Sequence, residues 1–202
     1  MGFINPKGDF TLKRFQQMIT YTVSGTDEEI AGILTLQQAN LPRMLSNEEM
    51  QAQGFVTVTH SIEELTMLNG LEQHVIAKDG ERVIGYVLAM TKASKTALPV
   101  LVPMFELFDE IAFRGKPVSA YQYLVVGQVC VAKDYRGQGV FDRLYQTYKN
   151  RFKDKYDFAV TEIAVKNLRS NSAHQRIGFE EIHQYLSPDN VEWNVVLWDW
   201  NR

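Results

Sequence analysis

Short apolar runs alternate along the chain with stretches whose apolar residues recur every three or four positions, the pattern of strands interleaved with amphipathic helices. Ile19 to Val23 reads as a short strand. Thr26-Asp-Glu-Glu29 then stands ahead of Ile30, Ile33, Leu34 and Leu36, a capping box that predicts a helix start. Ser61-Ile-Glu-Glu64 repeats the device ahead of Leu65, Leu68 and Leu71, and this second helix should end near Asn69-Gly70. Between the two, Leu41 to Gly54 is polar and reads as irregular, with at most a short helix around Asn47 to Gln53. His74 to Lys78, the turn Asp79-Gly80 and Arg82 to Thr91 form a hairpin.

Lys92 to Ser119 is too long for a simple connection and reads as an insertion. Met104, Leu107, Phe108, Ile111 and Ala112 keep helical spacing there, with Glu106, Asp109 and Glu110 on the other side. A solvated acidic face is the plainer reading of those acids, and a patch for a cationic acceptor the sharper one. From Tyr121 the order is strand (to Ala132), turn, helix (Val140 to Phe152), strand (Asp157 to Val165), helix (Leu168 to Ile177), and strands Glu180 to Leu186 and Val191 to Trp198. The sum is an α/β fold with a mixed sheet and an antiparallel end. Residues 1–18 read as an N-terminal extension and 19–202 as one domain carrying the insertion at about 92–119.

Composition narrows the function classes. With 202 residues, 45% apolar and 22% charged, the chain has the makings of one globular domain rather than a disordered or fibrous one. The net charge of -3 supplies no overall positive field, so nucleic acid is not an expected partner. Cys130 is the single cysteine, which excludes an internal disulfide and a multi-thiolate metal site, and no metal is expected. The longest uncharged stretch, Pro117 to Ala132, is short for a membrane span and contains Ser119, Gln122 and Gln128; no membrane association is expected. The first twenty residues lack the apolar segment of a secretory signal, and a cytoplasmic location is expected. Locally, seven basic residues face three acids between Lys133 and Lys155, a balance suited to phosphates and explained nearly as well by a solvated helix face.

The sharpest chemistry lies where the strand ending Gln128-Val-Cys-Val-Ala runs through Lys-Asp-Tyr-Arg136-Gly137-Gln138-Gly139 into the helix beginning Val140-Phe141. A glycine turn at a helix start aims several unpaired N–H groups and the positive end of the dipole at one place, which suits a phosphate or pyrophosphate. The turn has no Gly-Lys-Ser/Thr ending and no G-x-G-x-x-G, so it is neither a nucleoside-triphosphate P-loop nor a dinucleotide fingerprint. It resembles the acetyl-coenzyme A loop of the GNAT superfamily of N-acetyltransferases, Arg/Gln-x-x-Gly-x-Gly/Ala, with Phe141 in place of the final small residue. Downstream, Asn167-Leu-Arg-Ser170-Asn-Ser-Ala-His174-Gln-Arg-Ile-Gly178-Phe179 is similar to the family's Asn-x-x-Ser/Ala-x-x-x-Tyr-x-x-x-Gly-Phe segment, with His174 where tyrosine is usual. The resemblance spans about Tyr21 to Trp198 outside the insertion.

That resemblance implies the GNAT fold: a mixed, mostly antiparallel sheet whose two central parallel strands, Tyr123 to Ala132 and Phe158 to Val165, splay around the coenzyme A arm, with helices on both faces. It implies acetyl-CoA as co-substrate, held by Val129, Cys130, Val131, Arg136 to Phe141, Asn167 and Ser170, and direct transfer to a small-molecule or peptide amine. Transfer needs an amine to lose a proton, the thioester oxygen to carry charge and the thiolate to be reprotonated. A backbone N–H of Val129, Cys130 or Val131 is the candidate for the oxygen, His174 for the sulfur and Glu162 for the amine. Neighbouring acids would have to raise the His174 pKa for that role, and the alternative is a satisfied surface or core histidine. Glu162 interrupts the apolar strand Val160-Thr-Glu-Ile-Ala-Val165 five residues before Asn167, where some peptide-acetylating members have a glutamate; the alternative is an ion pair on the strand surface. Cys130 between two valines reads as a core residue rather than a nucleophile. The aromatic tail Trp193 to Trp200 reads as a core-facing last strand, with a homodimer seam as the sharper alternative. Two further classes stay open: a catalytically silent acyl-coenzyme A sensor that has lost its acid and base, and a structural domain that binds a partner through the tail.

Overall fold

The structure, a computed structural model, describes residues 18–41 and 58–201. In chain order its elements are β1 (Thr20–Val23), α1 (Asp27–Gln38), α2 (Ile62–Leu71), β2 (Val75–Asp79), β3 (Arg82–Met90), α3 (Ser94–Ala97), α4 (Val102–Glu110), β4 (Ala112–Phe113), β5 (Lys116–Pro117), β6 (Tyr123–Val131), α5 (Val140–Phe152), β7 (Phe158–Ala164), α6 (Leu168–Ile177), β8 (Glu180–Leu186) and β9 (Glu192–Asp199). Both capping boxes form: Glu29 N donates to Thr26 Oγ1 and Glu64 N to Ser61 Oγ, while each glutamate carboxylate reaches back to its cap residue's N–H. Residues 1–17 of the expected extension and the helix expected around Asn47 to Gln53 lie outside the described residues.

Seven strands form one sheet in the order β1-β2-β3-β6-β7-β9-β8. Among these pairs β6–β7 alone is parallel, and the others are antiparallel. Helices cover both faces. A bulge in the β2–β3 pairing puts Val83 and Gly85 on opposite sides; a Cβ on Gly32 of α1 would meet Val83, and one on Gly85 would meet Leu144 of α5. The α5 residues Val140, Leu144, Tyr145, Tyr148 and Phe152 are buried at helical spacing, each worth about 1.5–3 kcal/mol if fully removed from water.

The insertion differs in detail from the helix its spacing predicts. Helix α4 stops at Glu110, and Ala112 is exposed in a small hairpin whose turn residues Arg114 and Gly115 both have positive φ, a turn chemistry that overrides the helical period. The buried face of α4 is Phe105 and Phe108, with Met104 and Leu107 half-buried. Phe108 stacks edge-on against Tyr123 at 5.5 Å and Phe113 against Phe158 at 5.5 Å, so the insertion packs where β6 and β7 begin. Glu106, Asp109 and Glu110 are exposed there, which fits a solvated face and an acceptor patch alike. The tail also packs on its own chain: Trp198 contacts Tyr145 and Phe179, and buried Trp200 contacts Tyr148. No helix among the described residues is long and apolar enough to cross a membrane.

Candidate active site

Strands β6 and β7 pair only through Tyr123–Val125 and Phe158–Val160. One residue further, Thr161 Oγ1 donates to the Val126 carbonyl at 2.7 Å, and beyond that bond the strands part. The β3–β6 register also shifts there, from Ala89 opposite Val126 to Val87 opposite Val129, so Leu88 faces two residues, Gly127 and Gln128. Past this bulge the ladder with β3 is regular, and Ala132 N donates to Ile84 O at 2.8 Å. Counting back by the two-residue alternation of a strand, Cys130 also turns its N–H to β3, whereas Val129 and Val131 turn theirs toward the gap left by β7. The Val131 carbonyl on that side is covered by Arg136 Nε at 3.0 Å.

The gap opens into a cavity of about 350 Å³. Ten of the eleven residues expected to hold the coenzyme line it; Gln138 is the exception, lying exposed with its amide on Asp134 O at 2.7 Å. Gly137 and Gly139 have φ of 71° and 77°, and a Cβ added to either would stand in open space. A left-handed turn free of side chains therefore leads into α5, whose first-turn N–H groups have no intrahelical acceptor. The Tyr135 hydroxyl on Asp79 Oδ2 at 2.5 Å fixes this turn to the hairpin. The ring of Phe141, the departure from the family pattern, packs 4.9 Å from Tyr145 and 5.5 Å from His174. Asn167 caps α6, accepting Ser170 N at 3.2 Å. Arg169 and Arg176 add positive charge to the rim, Arg176 being paired with Asp142 at 2.6 Å.

A second cavity of about 80 Å³ adjoins the first and shares Val129, Asn167 and Ser170 with it; Glu162 and His174 both line it. Glu162 is half-buried, with Oε1 shut from solvent and without a hydrogen-bond partner. Burial raises its pKa from 4.5 to about 7, against a smaller lowering by the hydrogen bond from Tyr185. The surface ion pair that was the alternative for Glu162 is not among the described contacts. His174 is 2% exposed. Its Nδ1 lies 2.8 Å from the Ser170 carbonyl, which can only accept, so Nδ1 carries the proton and Nε2 accepts from the Tyr145 hydroxyl at 2.6 Å. Burial lowers its pKa to about 4. No carboxylate hydrogen-bonds to its ring, which is packed among Phe141, Tyr145 and Phe179. Burial likewise pushes the Cys130 thiol up to about 12, so the thiolate a nucleophile needs is disfavoured.

Three polar residues not singled out from the sequence hold residues of this cleft, and Asn40 among them lines the larger cavity. Gln37 and Asn40 at the end of α1 reach Gln128 (2.8 Å) and Arg136 (2.5 Å), and Tyr86 donates to Gln128 at 2.5 Å. Gln128, an amide in an apolar strand beside a glycine, was the visible signal.

Two parallel strands parted beside a glycine turn and a helix start make a setting that suits an anionic, extended ligand. The family model for the acetyltransferase (GNAT) family matches residues 43–179, more than half of the chain. The chain belongs to that family. No curated protein matches it by sequence. Among solved structures, Arabidopsis thaliana NAA60 in complex with acetyl-CoA is similar over 92% of this chain and 100% of that one, at 13% identity and a TM-score of 0.62. The ribosomal-protein-S18-alanine N-acetyltransferase from Escherichia coli is similar over 90% and 94%, at 10% identity and a TM-score of 0.59. The NatC complex bound to Gag peptide and CoA contains a chain similar over 90% and 98%, at 15% identity and a TM-score of 0.60. At such identities the likeness shows the fold.

Proposed function

We propose that the protein moves an acetyl group from acetyl-coenzyme A to a primary amine by direct attack. The observation that carries this reading is the junction of the two cavities: cleft-facing N–H groups on β6, a side-chain-free anion turn at one end, and a carboxyl titrating near neutrality at the other. The pyrophosphate fits the Gly137–Gly139 turn and the first N–H groups of α5, and the pantetheine arm fits between the parted strands. A thioester carbonyl beside Val129 would meet an N–H as its oxygen gains charge.

Glu162, as a carboxylate, takes the proton that the amine must lose, and a pKa near 7 suits a base working at neutral pH. The nitrogen lone pair forms the C–N bond, the C–S bond breaks, and the sulfur leaves as a thiolate. His174, neutral and engaged at both nitrogens, is ill suited to reprotonate it. A thiolate with a conjugate acid near pKa 8.5 leaves readily, and water can return its proton. The silent-sensor reading draws support from the same histidine, and Glu162 speaks against it. The acceptor is a small-molecule or peptide amine; the peptide choice has support from the Escherichia coli relative, an S18-alanine N-acetyltransferase, and from NatC with its bound peptide. The single cysteine suits the cytoplasm.

The test is release of free coenzyme A thiol from acetyl-CoA on addition of a panel of polyamines, amino sugars and peptides with free amino termini. Amine-dependent release supports transfer; saturable binding without release from any amine favours the sensor.

A further inference from the structure

The buried polar groups Gln37, Tyr86 and His60 line neither cavity, yet they converge on Gln128, which lines the smaller one. Gln128 uses its amide three times: Oε1 accepts from Tyr86 (2.5 Å) and from Gln37 Nε2 (2.8 Å), and Nε2 donates to Val58 O at 2.8 Å. Gln37 is itself held, donating to His60 Nδ1 at 2.9 Å and accepting from His60 N at 2.8 Å. Tyr86 and Gln37 are 0% exposed and His60 is 3% exposed, so breaking any of these bonds would leave a buried polar group unpaired at a cost, as His60 Nε2, which has no hydrogen-bond partner, already is.

We propose that Gln128 is a positioning residue for acetyl transfer, gripped by Tyr86 and Gln37 so that the β6 bulge turns the Val129 N–H into the cleft. Val126 turns its carbonyl to β7, where Thr161 Oγ1 binds it. Val129, three residues on, also faces the gap. In a regular strand, groups three residues apart point to opposite edges, so both can face the cleft only because Gly127 and Gln128 together oppose Leu88. Met90 lies where a Cβ of Gly127 would stand, which closes the bulge from the other side. A strand that relaxed to regular pairing would turn the Val129 N–H toward β3 and away from the thioester oxygen. Gln128 thus acts through the backbone it holds, and its role rests on the acetyl-transfer reading above.

The experiment follows backbone amide signals of the full-length protein by NMR as acetyl-CoA is added, in wild type, Gln128→Met and Tyr86→Phe, with kcat measured on the same samples using an amine that wild type acetylates. In wild type, acetyl-CoA should shift the Val129, Gly137 and Gly139 amides. In Gln128→Met the two glycines should still respond, the Val129 response should be lost, and kcat should fall roughly 10²–10³-fold with coenzyme affinity kept, the range for losing one oxyanion donor. Tyr86→Phe removes one hydrogen bond and should lower kcat by about 2- to 10-fold. If the Gln128 variant does not fold, the Tyr86 variant decides. A Val129 response and kcat equal to wild type in the folded variants would overturn the positioning role. No response of any of the three amides in wild type would overturn the coenzyme reading, and this role with it.

Discussion

Replacing Glu162 by Gln removes a charge from a site that penalises it, and the structure sets the size and sign of the effect. The carboxyl titrates near 7 in the folded protein against 4.5 without burial. Between those values the native state holds a proton that the unfolded chain has lost, so Glu162 lowers stability progressively as pH rises through that window. At 1.36 kcal/mol per pH unit the penalty reaches about 3 kcal/mol above pH 7. Glutamine has no charge to desolvate. Glu162→Gln should therefore match wild type near pH 4.5 and exceed it by up to about 3 kcal/mol at pH 8, as measured by urea unfolding at both values. Turnover should move the other way, falling about 10²–10⁴-fold near neutrality. The wild-type rate should climb with pH through about 7 as the carboxylate forms, and the variant should lack that limb. A variant less stable than wild type at pH 8, or one that keeps the limb, would refute the assignment.

The pKa of His174 should be about 4, so its ring should stay neutral with the proton on Nδ1 down to about pH 5.5, read from ring nitrogen shifts; titration at or above 6.5 would return it to the role of acid. Because its folded pKa is depressed below 6.5, the unfolded chain takes up the proton first, and stability should fall by up to about 3 kcal/mol as pH drops from 6.5 toward 4, with His74, also lowered to about 4, adding to the loss. Gly137→Val should fold at a cost of about 1–3 kcal/mol for its left-handed φ and lose the stabilisation of about 2.7 kcal/mol that acetyl-CoA at one hundred times its dissociation constant should give wild type; an undiminished melting shift would show that the turn binds nothing.

Where the information was local, the sequence was enough. Thr26 with Glu29 and Ser61 with Glu64 carry their helix starts within four residues, and the spacing from Val140 to Phe152 and from Leu168 to Ile177 gives both helices to the residue. Gly137 and Gly139 announce a turn that only their φ values permit. What stayed illegible depends on partners distant in sequence. The His174 environment is assembled from Phe141, Tyr145 and Phe179, and no local pattern reports that its Nε2 meets a tyrosine 29 residues away. Likewise the grip on Gln128 comes from Gln37, 91 residues away, and Tyr86, 42 away. The end of α4 was misread by its apolar period because Arg114 and Gly115 start a tight hairpin that takes Ala112 out of the helix.

Calorimetric titration of acetyl-CoA into wild type and into Gly139→Val tests the central claim, that the parted strands and the glycine turn form the coenzyme site. Saturable one-site binding is predicted for wild type, weakened at least about tenfold, or 1.4 kcal/mol, in a variant that keeps its circular dichroism. No binding to wild type, or equal affinity in the folded variant, would contradict it.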